Sequence, residues 1–185
     1  LGKLETLEII TGEYTMDNPF VSIMLGSGSD HKLIEPHLPI FATLDIPYEV
    51  TVTSAHRSPK NTRDYVRSAE DRGCGVFITV AGLANHLSGT VAALTHKPVI
   101  GVPVASGPLH GQDALLSTVQ MPPGVPVACV SIGGAKNAIL LAARMLAIHD
   151  DKIASHLEQL RMEMIRQVNE QNRDLGTPPL NVDYL

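Results

Sequence analysis

Five short apolar runs punctuate the chain: Val21 to Leu25, Tyr48 to Thr53, Val76 to Val80, Val99 to Val104 and Val127 to Ser131. Each is rich in β-branched residues, too short to be an isolated helix, and closed by Gly, Ser or Ala, which predicts strands. The segments between them carry helical patterns. Pro59 to Arg72 opens on a proline at a position the first helical turn tolerates, and Ala135 to Ile148 is rich in Ala and Leu. Strand, helix, strand repeated in this way predicts a parallel sheet covered on both faces. The first crossover, His31 to Asp45, contains Pro36 and Pro39, each of which removes a backbone donor, so a short, kinked or displaced helix is expected there.

From Asp150 to Asp174 the pattern becomes a long polar helix. Ile153, Leu157, Leu160, Met164 and Val168 recur at three- and four-residue steps along one stripe. That stripe packs either on its own domain or, as an arm, on another subunit. Gly176 and the Pro178-Pro179 pair end the helix, and little independent structure is expected beyond.

A chain of 185 residues fits one domain that buries its own core. With 44% hydrophobic residues and a formal charge of -5 it is neither disordered nor attracted in general to nucleic acid or anionic membrane, so the expected partner is small. Cys74 and Cys129 lie beside β-branched runs without the paired spacing of a zinc site or disulfide framework; both are read as buried free thiols in a reducing cytoplasm. No apolar run approaches the length of a membrane span. Residues 1–20 mix acids and polar groups where a signal peptide has a basic and then an apolar region; they are read as a processed or added extension and given no functional weight.

In parallel α/β sheets ligands bind outside the carboxyl ends of the strands, which directs attention to the loops. The first reads Gly26-Ser27-Gly28-Ser29-Asp30: small residues expose backbone N–H groups, Ser27 and Ser29 offer hydroxyls to phosphate oxygens, and Asp30 can accept from ribose hydroxyls. It is neither a GxGxxG fingerprint nor a Walker loop, and a plain tight turn with an aspartate cap fits it as well. The second, Ser54 to Pro59, sets His56, a residue type suited to proton transfer, beside Arg57, whose fork suits phosphate. The third, Ala81 to Gly89, adds His86 among small residues, and two histidines after adjacent strands point to a shared site. No Cys, His or Glu stands at ligand spacing to make a zinc site of them. The fourth, Ala105 to Asp113, precedes an apolar helical run, Ala114 to Val119, and is long enough for a lid or a subunit contact; His110 fits a structural role as well as a functional one.

In order, GSGSD, SAHRSP, AGLANHLSG, KPVIGVPV and LHGQDALLSTVQMPPGVPVACVSIGGAKNAILLAARML resemble the PurE family of purine biosynthesis, over about Val21 to Ile148. The resemblance implies a three-layer flavodoxin-like α/β domain, usually a cytoplasmic homo-octamer, with active sites where subunits meet and neither metal nor organic cofactor. It implies a catalytic domain over 21–149 after the extension, a helix over 150–175 that contacts other subunits, and a tail over 176–185. Ser27, Ser29, Asp30 and Arg57 would hold a ribonucleotide with Ser54 nearby, His56 would carry the proton, and the loop bearing Gly82, Ala84, His86 and Leu87 would enclose the carboxylate or carbon dioxide, oriented by His86.

The implied activity is conversion of N5-carboxyaminoimidazole ribonucleotide to 4-carboxy-5-aminoimidazole ribonucleotide, an isomerase reaction with carbon dioxide as intermediate. The alternatives are a carboxylase (lyase) that uses free carbon dioxide, and a nucleotide-sensing relative without catalysis. Mutases usually carry AGGAAHLPG where this chain has AGLANHLSG, so Leu83, Asn85 and Ser88 lean toward the carboxylase pattern AGRSNxLSG. The short stretch from Ile132 to Ala138 leans the same way, and His31 stands where mutases generally have Trp. Arg57 and His86 are mutase features, and the mutase reading is preferred.

Overall fold

The computed structural model describes residues 8–10 and 19–178. Among them, strands β1 (Glu8–Ile10), β2 (Phe20–Leu25), β3 (Tyr48–Val52), β4 (Cys74–Gly82), β5 (Val99–Val104) and β6 (Ala128–Cys129) form one sheet in the order β1-β3-β2-β4-β5-β6. β2 to β6 are parallel, in the doubly wound order of flavodoxin-like folds. β1 adds an antiparallel edge, pairing Glu8 with Val50 and Ile10 with Tyr48. Sequence pattern alone did not foresee that strand. Other expectations for 1–20 and 176–185 fall on residues 1–7, 11–18 and 179–185, which lie outside the described residues.

Alternation along β2 divides the core in two. Val21, Ile23 and Leu25 face Ile34, Phe41, Leu44 and Ile139, which belong to α1 (His31–Ile34), α2 (Pro39–Leu44) and α6 (Ala135–Leu146). Phe20 and Met24 face Val66 and Val91 of α3 (Pro59–Asp71) and α4 (His86–Ala92) on the other side. Both faces of the sheet are covered, as the continuous apolar strands require. Each fully buried large side chain contributes about 1.5–3 kcal/mol by leaving water.

The first crossover is broken as its prolines dictate. A 3₁₀ turn, Glu35–His37, separates α1 from α2, and Pro36 and Pro39 each stand at the start of a helical segment, where a missing N–H costs little. Asp45 closes α2 at φ 56°. The fourth loop leads into α5 (Gln112–Val119) as expected. The run from Val127 to Ser131 yields only the two-residue β6, which follows Pro126 and pairs with β5 along one edge. This edge position also corrects the reading of Cys129: its thiol is free but half-buried, whereas Cys74 in β4 is buried, which pushes its thiol up to about 12.

Beneath the loops, the fully buried Glu49 of β3 is held by Arg72, whose Nη2 donates to Oε2 at 2.8 Å and whose Nη1 pairs with Oε1, and by the Tyr65 hydroxyl at 3.3 Å. A carboxylate in that position needs these donors, because an unpaired buried charge costs several kcal/mol.

Helix α7 (Asp151–Asp174) is capped by Asp150, whose Oδ1 accepts from the backbone N–H groups of Lys152 and Ile153. Its first turns lie on the domain: Ile153 is buried, Leu157 packs on the core, Lys152 pairs with Asp45, and His156 Nδ1 lies 3.1 Å from the Leu44 carbonyl. Further along the same stripe, Met164 and Val168 are 37% and 44% exposed. Among the described residues no helix is long and apolar enough to cross a membrane.

Candidate active site

The strand order reverses between β2 and β4, which lie side by side while the chain between them visits β3. Loops leaving such neighbours diverge to opposite faces and open a crevice at the carboxyl edge. A cavity of about 560 Å³ lies there, lined from all four loops.

The first loop is a single 3₁₀ turn, Gly28–Asp30, after Gly26. Ser27 caps it, its Oγ accepting from the Ser29 backbone N–H at 3.4 Å and from the Ser29 hydroxyl at 3.0 Å. Gly26 must lack a side chain, since a Cβ there would stand 2.9 Å from the Ala81 Cβ. Partial burial pushes the Asp30 carboxyl above its ordinary value, and a hydrogen bond from the Ser27 backbone draws it partly back.

Ser54 organises the second loop. Its Oγ accepts from the Arg57 backbone N–H at 3.2 Å and from Arg57 Nε at 3.4 Å, while Arg57 Nη2 reaches across to the Gly26 carbonyl at 3.2 Å. The guanidinium therefore bridges the first two loops at the cavity edge. Ser58 and Pro59 then start α3, with the Ser58 hydroxyl donating to the Ser54 carbonyl.

The third loop leaves β4 through Gly82 and Leu83, the latter at φ 54°, and enters α4 at His86. His86 thus sits on the first turn of a helix rather than within the open loop that the sequence suggested. Its Nδ1 lies 2.6 Å from His56 Nε2, with ring centroids 4.5 Å apart. Two N–H groups cannot point at each other at that distance, so one facing nitrogen carries the proton and the other accepts it.

A family model described as AIR carboxylase matches residues 20–167. The chain belongs to the AIR carboxylase family. It is 46% identical to the N5-carboxyaminoimidazole ribonucleotide mutase of Pyrococcus horikoshii, over 86% of this chain and 90% of that protein. The mutase of Thermotoga maritima is likewise 46% identical, over 85% and 92% of the two chains. Among solved structures, Treponema denticola PurE superposes with a TM-score of 0.77 at 31% identity, covering 85% of this chain and 98% of that one.

In this AIR carboxylase family chain the cavity gathers the residues singled out from sequence: Ser27, Ser29 and Asp30; Ser54, His56 and Arg57; Gly82, Ala84, His86 and Leu87. Leu87 is almost wholly buried and belongs to the core as much as to the cavity wall. His110 does not line the cavity; Ser106 of the same loop does. Its Oγ would lie 2.0 Å from a Cβ on Gly82, so the glycine makes room for it. The signal for Ser106 was available, as a hydroxyl just past the carboxyl end of β5, but the histidine in that loop drew the attention. Gly26 also lines the cavity and was missed, because its part is played by a backbone carbonyl.

Proposed function

We propose that this chain is an N5-carboxyaminoimidazole ribonucleotide mutase, an isomerase of purine biosynthesis that moves the carboxyl group from N5 to ring C4. The 2.6 Å contact between His56 and His86 carries the reading, because it puts a proton shared by two imidazoles in the lining of a cavity that also presents the Ser27 and Ser29 hydroxyls and the Arg57 guanidinium. The names of the curated relatives agree with it.

The phosphate and ribose lie against Ser27, Ser29, Asp30 and Arg57, with Ser54 holding the guanidinium in place. His56 protonates the exocyclic nitrogen as the N5 carbamate loses carbon dioxide. Gly82, Ala84 and Leu87 close around the released molecule and His86 orients it through its remaining nitrogen, Nε2. Ring C4 attacks the carbon, and His56 removes the C4 proton. One imidazole can act as acid and then base because the proton it gives to nitrogen is replaced by the one it takes from C4, returning it to its starting form. Exclusion of water keeps the intermediate from escaping as bicarbonate. The scheme uses neither metal nor organic cofactor.

The assembly proposed with this reading is a cytoplasmic homo-octamer, with a catalytic unit over 21–149 and the helix over 150–175 reaching a neighbouring subunit. The exposed apolar side chains Leu116, Val119, Met164 and Val168 support such contacts, and the free thiols of Cys74 and Cys129 suit a reducing compartment. A second reading, carboxylation of aminoimidazole ribonucleotide with free carbon dioxide, is favoured by Asn85 and Ser88 in the third loop.

His56→Asn tests the central role. It removes the proton carrier at nearly constant volume, so turnover of the N5-carboxylated ribonucleotide should fall by about 10²–10⁴-fold while far-UV circular dichroism stays unchanged. Wild-type turnover in the folded variant would remove His56 from the mechanism.

A further inference from the structure

Asn85 immediately precedes His86 and is 1% exposed. Asparagine at the entrance of a helix ordinarily caps it, yet this one makes no side-chain cap bond to α4. Its amide points inward, Nδ2 donating to Thr118 Oγ1 of α5 at 2.8 Å and Oδ1 accepting from the Ser88 hydroxyl at 3.2 Å.

Those two bonds belong to a longer buried chain. Thr79 of β4 donates to Ser88 Oγ at 2.9 Å, and Thr118 donates to the Ala114 carbonyl at 2.7 Å. Thr79, Asn85, Ser88 and Thr118 are all buried. Every hydroxyl proton has a receiver, and both polar atoms of the Asn85 amide are used. The strand beneath is shaped for it: a Cβ on Gly101 of β5 would lie 2.3 Å from Thr118 Cγ2 and 2.9 Å from Ser88 Oγ. The loop thus tied down follows Leu83, at φ 54°, and ends at the imidazole that meets His56.

We propose that the buried chain Thr79–Ser88–Asn85–Thr118 fixes the β4–α4 loop so that His86 keeps its place against His56, making Asn85 and Thr118 positioning residues for the reaction at that pair. Asn85 and Ser88 are then the mechanical anchor of the loop, a part they play whichever source supplies the carbon dioxide. Fully satisfied buried hydrogen bonds in a low-dielectric core rigidify what they join and can hold a first turn this way. The kinetic consequence rests on the mutase reading; the placement of the imidazole does not.

Thr118 is the residue to change, because it lies outside the cavity. Thr118→Val keeps the shape and removes the acceptor for Asn85 Nδ2; Thr118→Ser keeps the acceptor. In protein labelled with ¹⁵N-histidine, the ring resonances of His86 and His56 should move in Thr118→Val and stay at their wild-type positions in Thr118→Ser. With the N5-carboxylated ribonucleotide, kcat should fall about tenfold in Thr118→Val with KM within about twofold, as expected for a displaced catalytic group, and recover in Thr118→Ser. Should Thr118→Val fold poorly, Ser88→Ala removes the other bond to Asn85 and should move the same resonances. Folded variants with wild-type ring resonances would overturn the proposal. If the wild-type protein itself does not turn over the ribonucleotide, the mutase reading fails while the resonances still decide the role of Thr118.

Discussion

His56 and His86 leave the sheet in different loops, 30 residues apart in the chain, and their facing nitrogens, Nε2 and Nδ1, meet at 2.6 Å. The contact unites the ends of two strands that are not hydrogen-bonded neighbours, since β2 lies between β3 and β4. One proton is held between two bases that line the cavity, and each imidazole keeps a second nitrogen for other partners. Such an arrangement suits a relay in which His56 first gives and then takes a proton at one substrate.

Arg57 holds its fork through bonds to Ser54 and Gly26. Lysine at this position keeps the charge and loses the planar geometry, so Arg57→Lys should raise KM for the ribonucleotide about tenfold and leave kcat within about threefold. Steady-state kinetics decide; an unchanged KM would take Arg57 out of phosphate recognition.

Asp30 couples the site to stability. Its carboxyl is raised from 3.8 chiefly by burial, so its stabilising contribution is complete below the unfolded value and is lost as pH rises through the folded one. At neutral pH the ionised group is a cost to the folded chain. Asp30→Asn should therefore raise the urea midpoint at pH 7, with the gain shrinking toward pH 4, while KM for the ribonucleotide increases. An equal offset at both pH values would show that ionisation of Asp30 is not its source.

Leu83 stands at φ 54°, a backbone conformation that costs a branched residue about 1 kcal/mol, with its side chain 54% exposed. Leu83→Gly relieves the strain and gives up little burial. The variant should fold with a thermal midpoint within about 5 °C of wild type and keep kcat within about threefold. Collapse of the fold would mean that the leucine, which occupies the space beside Gly107, is a required contact.

The strand-and-loop grammar was legible because it is local. Val21 to Leu25 followed by Gly26 and Ser27 announces a buried strand and a bare turn, and Pro36 with Pro39 announces a broken crossover. What was not legible depended on partners distant in sequence. Glu8–Ile10 is a strand only because β3 offers it an edge, and Val127 to Ser131 shrinks to two residues because no described strand pairs with β6 on its other side.

The site divides along the same line. The motifs around His56 and His86 named the chemistry, but the contact between the rings depends on the strand order. Asn85 and Ser88 read in the sequence only as marks of a reaction branch; their bonds to Thr118 and Thr79, 33 and 9 residues away, add a structural part that spacing could not show.

The most direct test of the account is an ATP-free assay in which the purified protein meets N5-carboxyaminoimidazole ribonucleotide in one cuvette and aminoimidazole ribonucleotide with bicarbonate in another, with formation of the C4 carboxylate followed by absorbance. The account predicts rapid conversion in the first cuvette and little in the second. Efficient use of aminoimidazole ribonucleotide with carbon dioxide would make the chain a carboxylase, and binding without conversion in both would contradict the assignment of a mutase.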